Sequence, residues 1–148
     1  MTDREQAQTI RIHYLRPVTK LKKIVNGDWI DLRAGKDISL KKGESALIPL
    51  GISMQLPEGY EALLTPRSST FKKYGVIQTN SIGVIDESYC GDSDEWMLAV
   101  YAVRDTVIPF DERICQFRII RHQPEIKFEE AESLGNTDRG GFGSTGRS

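Results

Sequence analysis

Histidine, cysteine and tryptophan are scarce in this sequence, with two of each among 148 residues. Cys90 and Cys115 form no Cys-x-x-Cys pair, and His13 and His122 stand far from both, so no metal-ligand spacing is present. Two histidines on polar stretches also give no Ser-His or Cys-His arrangement for covalent catalysis. No apolar run approaches the roughly 18 residues that a membrane span needs. The first residues, Met1 to Gln8, are polar and lack the apolar core of a secretory signal. A strong charge of either sign is missing too: 20 Lys and Arg face 21 Asp and Glu, for a net charge of −1. The basic residues are spread out, with short pairs only at Lys22-Lys23, Lys41-Lys42 and Lys72-Lys73. Nothing here attracts nucleic acid or an anionic membrane. A soluble, cytoplasmic chain with both cysteines reduced is expected.

What the sequence does have is turn chemistry and short apolar runs. Residues 9–15 alternate polar and apolar as a first strand, with His13 on the polar phase. Asn26-Gly27-Asp28, Gly43, Gly51 and Pro57-Glu58-Gly59 then punctuate the chain. Pro49 places its run at an edge or a strand end. Further apolar segments fall at 75–78, 81–85, 96–103, 106–110, 113–120 and 125–128. Many short strands without a sustained helical period indicate an all-β sandwich or barrel. One short helix is expected around Ser68 to Lys73, which begins with cap-type residues. At this length a single domain is expected, spanning residues 1–130. Residues 131–148 form a separate arm, because from Gly135 onward the chain is nearly free of apolar residues and cannot order itself by burial.

The most informative stretch runs from Thr79 to Gly91. Ser81 to Ile85 alternates apolar with small residues as a short buried strand, and Gly83 marks a bulge or a close approach to the backbone. Asp86-Glu87-Ser88 is turn chemistry. The segment suggests a small hairpin with the amide of Asn80 at its mouth, the carboxylate of Asp86 at its turn and the ring of Tyr89 facing back. An amide reads a base edge, a ring packs on a sugar, and a carboxylate takes a proton from water. An ordinary hairpin with an Asx-turn accounts for the same residues.

Gly83, Ile85, Asp86, Tyr89 and Gly91 match Gly-x-Ile-Asp-x-x-Tyr-x-Gly, and the stretch resembles the third motif of the trimeric deoxyuridine triphosphatases (dUTPases). Four further stretches match that family in its order. They are Asp31-Leu-Arg-Ala34, Pro66-Arg-Ser-Ser69, Arg113-Ile-Cys-Gln116-Phe and Arg139-Gly-Gly-Phe142-Gly-Ser-Thr-Gly146. Three departures stand out: Asp28-Trp29 replaces the usual Ala-Gly, Cys115 replaces an Ala, and the last motif lacks two residues between Arg and Phe. The resemblance implies a distorted jelly roll assembled as a homotrimer, with the C-terminal arm closing over a neighbour's site.

It also implies residue roles. Asp86 is the expected general base, holding the water that attacks the α-phosphorus. Asn80 and the hairpin backbone around Gly83 and Ile85 are expected at the uracil edge, and Tyr89 against the deoxyribose. Arg67, Ser68, Ser69 and Gln116 are expected at the phosphates, with Asp31 ordering the metal-water side. Arg139, Gly143 and Ser144 are expected at the γ-phosphate and Phe142 on the uracil. The short last motif makes Trp96, after the acidic stretch Asp92 to Glu95, an alternative stacking ring. Mg²⁺ carried by the triphosphate and its waters is the implied cofactor, with no direct protein ligands. Without the resemblance, a capped turn explains Arg67 to Ser69, and a solvated strand face explains Arg113.

The implied activity is hydrolysis of dUTP to dUMP and pyrophosphate. This keeps uracil out of DNA and supplies dUMP for dTMP synthesis. The related dCTP deaminases carry a catalytic Glu on the strand after the hairpin, whereas here that strand, Trp96 to Tyr101, holds no acid. A nucleotide-gated binding protein with a regulatory protein partner is the reading from another class. It requires different affinities in open and closed forms of the arm.

Overall fold

The structure is a computed structural model that describes residues 6–23 and 26–141. Eleven strands and one helix follow in chain order: β1 (Arg11–Tyr14), β2 (Ile30–Arg33), β3 (Ile38–Leu40), β4 (Ser45–Pro49), β5 (Ile52–Gln55) and β6 (Tyr60–Pro66), then α1 (Thr70–Tyr74), then β7 (Val76–Gln78), β8 (Gly83–Ile85), β9 (Met97–Ala102), β10 (Thr106–Ile108) and β11 (Arg113–Arg121). The architecture is the expected all-β, distorted jelly roll with one short helix. A four-stranded sheet runs β2-β11-β6-β8 and a three-stranded one β4-β9-β7, with β1-β5 and β10-β3 as two-stranded pairs. Every strand pairing in these sheets is antiparallel.

Side-chain alternation explains how the sheets close on one core. In β9, Leu98, Val100 and Ala102 turn inward while Met97 and Tyr101 remain exposed. Leu32, Ile48, Leu64, Ile114 and Phe117 meet them from the other strands, each 1 % exposed or less. Each such Leu or Ile contributes about 1.5–3 kcal/mol relative to an exposed position. Trp96 precedes β9 in the same inward phase. It is fully buried, and its ring meets Phe117 edge-on at 5.4 Å. The expectation of Trp96 as a stacking ring is therefore corrected: a side chain with no exposed surface cannot stack on a base.

Three local expectations also change. The helix begins at Thr70, two residues later than expected, and runs one residue past the expected end to Tyr74, while Ser69 makes no side-chain cap bond. The hydroxyl of Thr70 takes over, accepting from Arg67 N–H and donating to the Ile114 carbonyl, both at 2.9 Å. Gly75 ends the helix at φ 62°, where a Cβ would also strike the Arg104 side chain. Thr79 to Gly91 is not a self-paired hairpin, because β8 pairs with β6 while β7 pairs with β9 in another sheet. Finally, no strand forms at 125–128; Phe128 is 93 % exposed and finds no partner strand among the described residues.

β11 is the organising strand. It pairs along β6 from Cys115–Pro66 to Arg121–Tyr60, and along β2 on its other side. A bulge between Arg113 and Cys115 lets Ile114 and Cys115 both turn inward. Cys115 is wholly buried, and burial pushes its thiol well above the ordinary range, so it packs rather than reacts.

Candidate active site

The bulge in β11 sets the register that assembles one half of the site. It leaves Gln116 directly opposite Asp31 on β2 and opposite Thr65 on β6. Arg67 follows the end of β6, so three of the five sequence motifs converge at one end of this sheet. Arg67 Nε donates to Asp31 Oδ1 at 3.1 Å, and Arg113 Nη1 lies 3.6 Å from Asp31 Oδ2. Gln116 Nε2 donates to the Pro66 carbonyl at 3.3 Å. A cavity of about 300 Å³ opens here, lined among others by Trp29, Asp31, Arg67, Ser68 and Gln116. Ser68 and Ser69 are exposed at its rim, with Arg67 Nη1 donating to the Ser69 hydroxyl at 3.4 Å. Two guanidinium groups, hydroxyls and an amide form a donor set suited to phosphate oxygens, with Asp31 aligning both arginines. Asp28 and Trp29, the unusual pair of the first motif, are tied to Arg118 through an ion pair of 3.4 Å and a ring contact.

The other half lies beyond β8. Asp86 Oδ2 accepts from the Ser88 N–H at 2.9 Å and from the Ser88 hydroxyl at 2.5 Å. These bonds, chiefly the hydroxyl's, hold the Asp86 carboxyl below its ordinary value of 3.8, with a smaller contribution from the charge of His122. Asp86 is therefore ionised throughout the neutral range. Tyr89 donates its hydroxyl to the Glu95 carbonyl at 2.9 Å, which fixes the ring. A cavity of about 400 Å³ is lined by Val84, Ile85, Asp86, Ser88, Tyr89, Glu95 and Met97. Gly83 lets β8 lie close to β6: a Cβ there would sit 3.2 Å from that of Leu64, a tight contact. Asn80 is exposed at the opposite end of β8 from Asp86, and does not line this cavity.

Several supports of this half were not visible in the sequence. Glu95 receives Arg16 Nε and the Gly51 N–H, both at 2.8 Å. The acidic stretch from Asp92 to Glu95 is thus a folded turn that anchors Tyr89, with Asp94 accepting from the Gly91 N–H at 2.8 Å. His122, just past β11, lies 3.0 Å from Glu61 and 2.8 Å from Glu87. Those partners are distant in sequence, and no local pattern marks them.

The two halves stay apart within one chain. Ile85 pairs with Ala62, so Asp86 lies toward the Tyr60 end of β6, while Arg67 lies past its Pro66 end. At about 3.3 Å per residue the separation is roughly 15–20 Å. Arg139 is exposed and lines neither cavity. Phe142, Gly143 and Ser144 lie outside the described residues.

Comparison with known proteins bears on this arrangement. The family model for dUTPase matches residues 29–146. The chain is 58% identical over 138 residues to the SPbeta prophage-derived deoxyuridine 5'-triphosphate nucleotidohydrolase YosS of Bacillus subtilis, covering 93% of this chain and 97% of that protein. Its fold is similar to the dUTPase of Staphylococcus bacteriophage 80alpha solved with dUpNHpp, with a TM-score of 0.75, 23% identity, and coverage of 93% and 98%. It is also similar to the dUTPase of phage phi11 of S. aureus, for which coordination of a structural Mg(II) ion is described (TM-score 0.68, 17% identity, coverage 85% and 98%). This chain belongs to the dUTPase family.

Proposed function

We propose that this protein is a dUTP diphosphatase, hydrolysing dUTP to dUMP and pyrophosphate as a homotrimer whose active sites are shared between subunits. The observation that carries this reading is the separation of a phosphate-type donor set from an ionised carboxylate by most of the length of β6, in a chain of the dUTPase family. Neither half is a complete site alone. In the trimer the Asp86 turn of one subunit faces the Arg67, Ser68 and Gln116 end of another, and the arm of residues 131–148 closes over both. Asp86 orients a water and takes its proton as that water attacks the α-phosphorus in line, and pyrophosphate leaves. Ile85, Gly83 and Asn80 supply the uracil edge, and Tyr89 excludes a 2′-hydroxyl by close packing. Arg67, Ser68, Ser69 and Gln116 stabilise the growing negative charge. Arg139, Gly143 and Ser144 close on the γ-phosphate, and Phe142 covers the base.

The donor set fits a metal carried by the substrate. Asp31 is committed to Arg67 and Arg113 rather than to an ion. Mg²⁺ bound to the triphosphate oxygens would neutralise charge and fix the phosphate geometry. Asp31 orders the arginines beside it. Such an enzyme acts in the cytoplasm on the free nucleotide pool; among the described residues no helix is long and apolar enough to cross a membrane.

The test is pyrophosphate release with Mg²⁺ from dUTP, dTTP, dCTP and UTP in parallel, wild type beside Asp86→Asn. Release from dUTP alone, lost in the variant, is expected. Ammonia from dCTP, or equal release from all four nucleotides, would overturn the proposal.

A further inference from the structure

The cluster of His122, Glu61 and Glu87 lies outside both cavities, and no step of the reaction above uses it. Its geometry is unusually closed. His122 presents both ring nitrogens to carboxylates, Nδ1 to Glu61 Oε1 at 3.0 Å and Nε2 to Glu87 Oε1 at 2.8 Å. Its own backbone N–H donates to the Gly59 carbonyl at 2.9 Å, and the Gly59 N–H donates to Glu87 Oε2 at 3.2 Å. Glu87 is thus held at both oxygens, and the residue before it is Asp86.

We propose that His122 is a positioning residue for the hydrolysis of dUTP: it clamps Glu87 to β6 and so holds the turn on which Asp86 meets its water. This rests on the assignment of Asp86 as the base. Ionised carboxylates only accept hydrogen bonds, so two such contacts require both ring nitrogens to donate, and the clamp is complete only as imidazolium. The groups facing the ring agree with that charge: Glu61 from β6, and Glu87 and Asp86 from the turn, with Arg121 as the adjacent cation. The two carboxylates raise the imidazole above its ordinary 6.5, with Glu61 as the largest influence. As pH rises through that raised value, one of the two contacts is lost and the clamp between Glu61 and Glu87 opens. Asp86 itself remains ionised, because its own value is depressed.

The clamp acts on the turn rather than on the phosphate donors, which sit at the far end of β6. Its loss therefore lowers kcat more than it raises KM. The test is the pH dependence of kcat and KM for dUTP in wild type, His122→Gln, Glu87→Gln and the double variant. Wild type is expected to lose turnover along an alkaline limb that both single variants lack. At neutral pH each single variant is expected to lose about tenfold in kcat, the scale of a modest misplacement of a catalytic group. KM should change less than kcat, and the double variant should be no worse than the singles, because both substitutions break one contact. In the wild type, ¹⁵N resonances of the His122 ring should report two protonated nitrogens below a titration midpoint raised above its ordinary value, and in Glu87→Gln that midpoint should fall back toward it. If His122→Gln fails to fold, Glu87→Gln carries the same test from the other side. Additive losses, an unchanged alkaline limb or wild-type kcat in folded single variants would overturn the clamp. Asp86→Asn run in parallel separates the two ideas. Its loss of turnover beside wild-type behaviour of the clamp variants overturns the clamp alone; wild-type turnover of Asp86→Asn overturns the base assignment on which the clamp rests.

Discussion

The phosphate-type half and the Asp86 half are held in place by different physics. At the Arg67 end, position follows from strand register: the β11 bulge puts Gln116 opposite Asp31, and Asp31 aligns Arg67 and Arg113. The helix that follows is pinned to the same strand through Thr70 and the Ile114 carbonyl. At the Asp86 end only three residues, Gly83–Ile85, are strand. The turn beyond them is closed by one backbone bond, from Tyr89 N–H to the Asp86 carbonyl, and otherwise depends on side-chain bonds: Ser88 to Asp86, His122 and Gly59 N–H to Glu87, and Tyr89 to Glu95. A donor array for phosphate is cheap to build into a sheet end, since several strands share the load. A lone carboxylate that must meet a water needs individual supports, and each support is a place where activity can be tuned without unfolding the sheet.

The sharpest way to break this comparison is to separate the halves genetically. Asp86→Asn is expected to lower turnover by about 10²–10⁴-fold, the range for a general base. Arg67→Ala is expected to lose activity through the other half. If the halves come from different subunits, unfolding and refolding the two inactive variants together restores about a quarter of the wild-type sites, by random assembly in a closed ring. Pyrophosphate release by the mixture measures this. No recovery in well-mixed trimers would mean that each chain completes its own site.

A second substitution asks whether the Asp86 half leans on the core. Trp96 follows Glu95, whose carbonyl anchors Tyr89, and fills core volume against Phe117. Trp96→Ala is expected to cost about 3–5 kcal/mol, read from denaturant midpoints. Trp96→Phe should cost less and leave nucleotide affinity at its wild-type value, since the ring has no surface to offer a base. Lost affinity in a folded Trp96→Phe protein would reinstate the ring as part of the site.

Asp31→Asn probes the register-built half more gently. The arginines keep their strands but lose the charge that aligns them, while the amide still offers one acceptor, so KM for dUTP should rise by about three- to tenfold, the scale of one ordinary hydrogen bond. A change confined to kcat would place Asp31 nearer the reacting atoms than its pairing with two arginines implies.

How much of this was legible in the sequence follows from the same contrast. The strands were, because the period-2 alternation in 96–103 and 113–120 is local, and the residues of three motifs need only strand pairing to meet. The burial of Trp96 was available as well. It shares the phase of Leu98, Val100 and Ala102, although the acidic run before it suggests solvent. The side-chain supports were not legible. His122 and its carboxylates are separated by 61 and 35 residues on polar stretches, and Arg16 and Glu95 by 79. No local propensity encodes such contacts; only the completed fold brings them together. The segment 125–128 misleads for the opposite reason: its apolar residues have no partner strand among the described residues.

The smallest expected effect isolates one support of the Asp86 turn. Asp86 has a folded value below 3.8 chiefly because the Ser88 hydroxyl bonds its ionised form. A group depressed in this way adds stability above its unfolded value and loses it as pH falls through the folded one. The acid limb of kcat/KM should therefore lie below the ordinary aspartate range in wild type. In Ser88→Ala the backbone N–H bond remains, so the limb should move upward only part of the way toward 3.8, with turnover at neutral pH nearly unchanged because Asp86 is ionised in both proteins. A large loss at neutral pH would instead mean that the hydroxyl positions the carboxylate rather than merely stabilising its charge. Ser88 would then join His122 among the residues on which the geometry of this half depends.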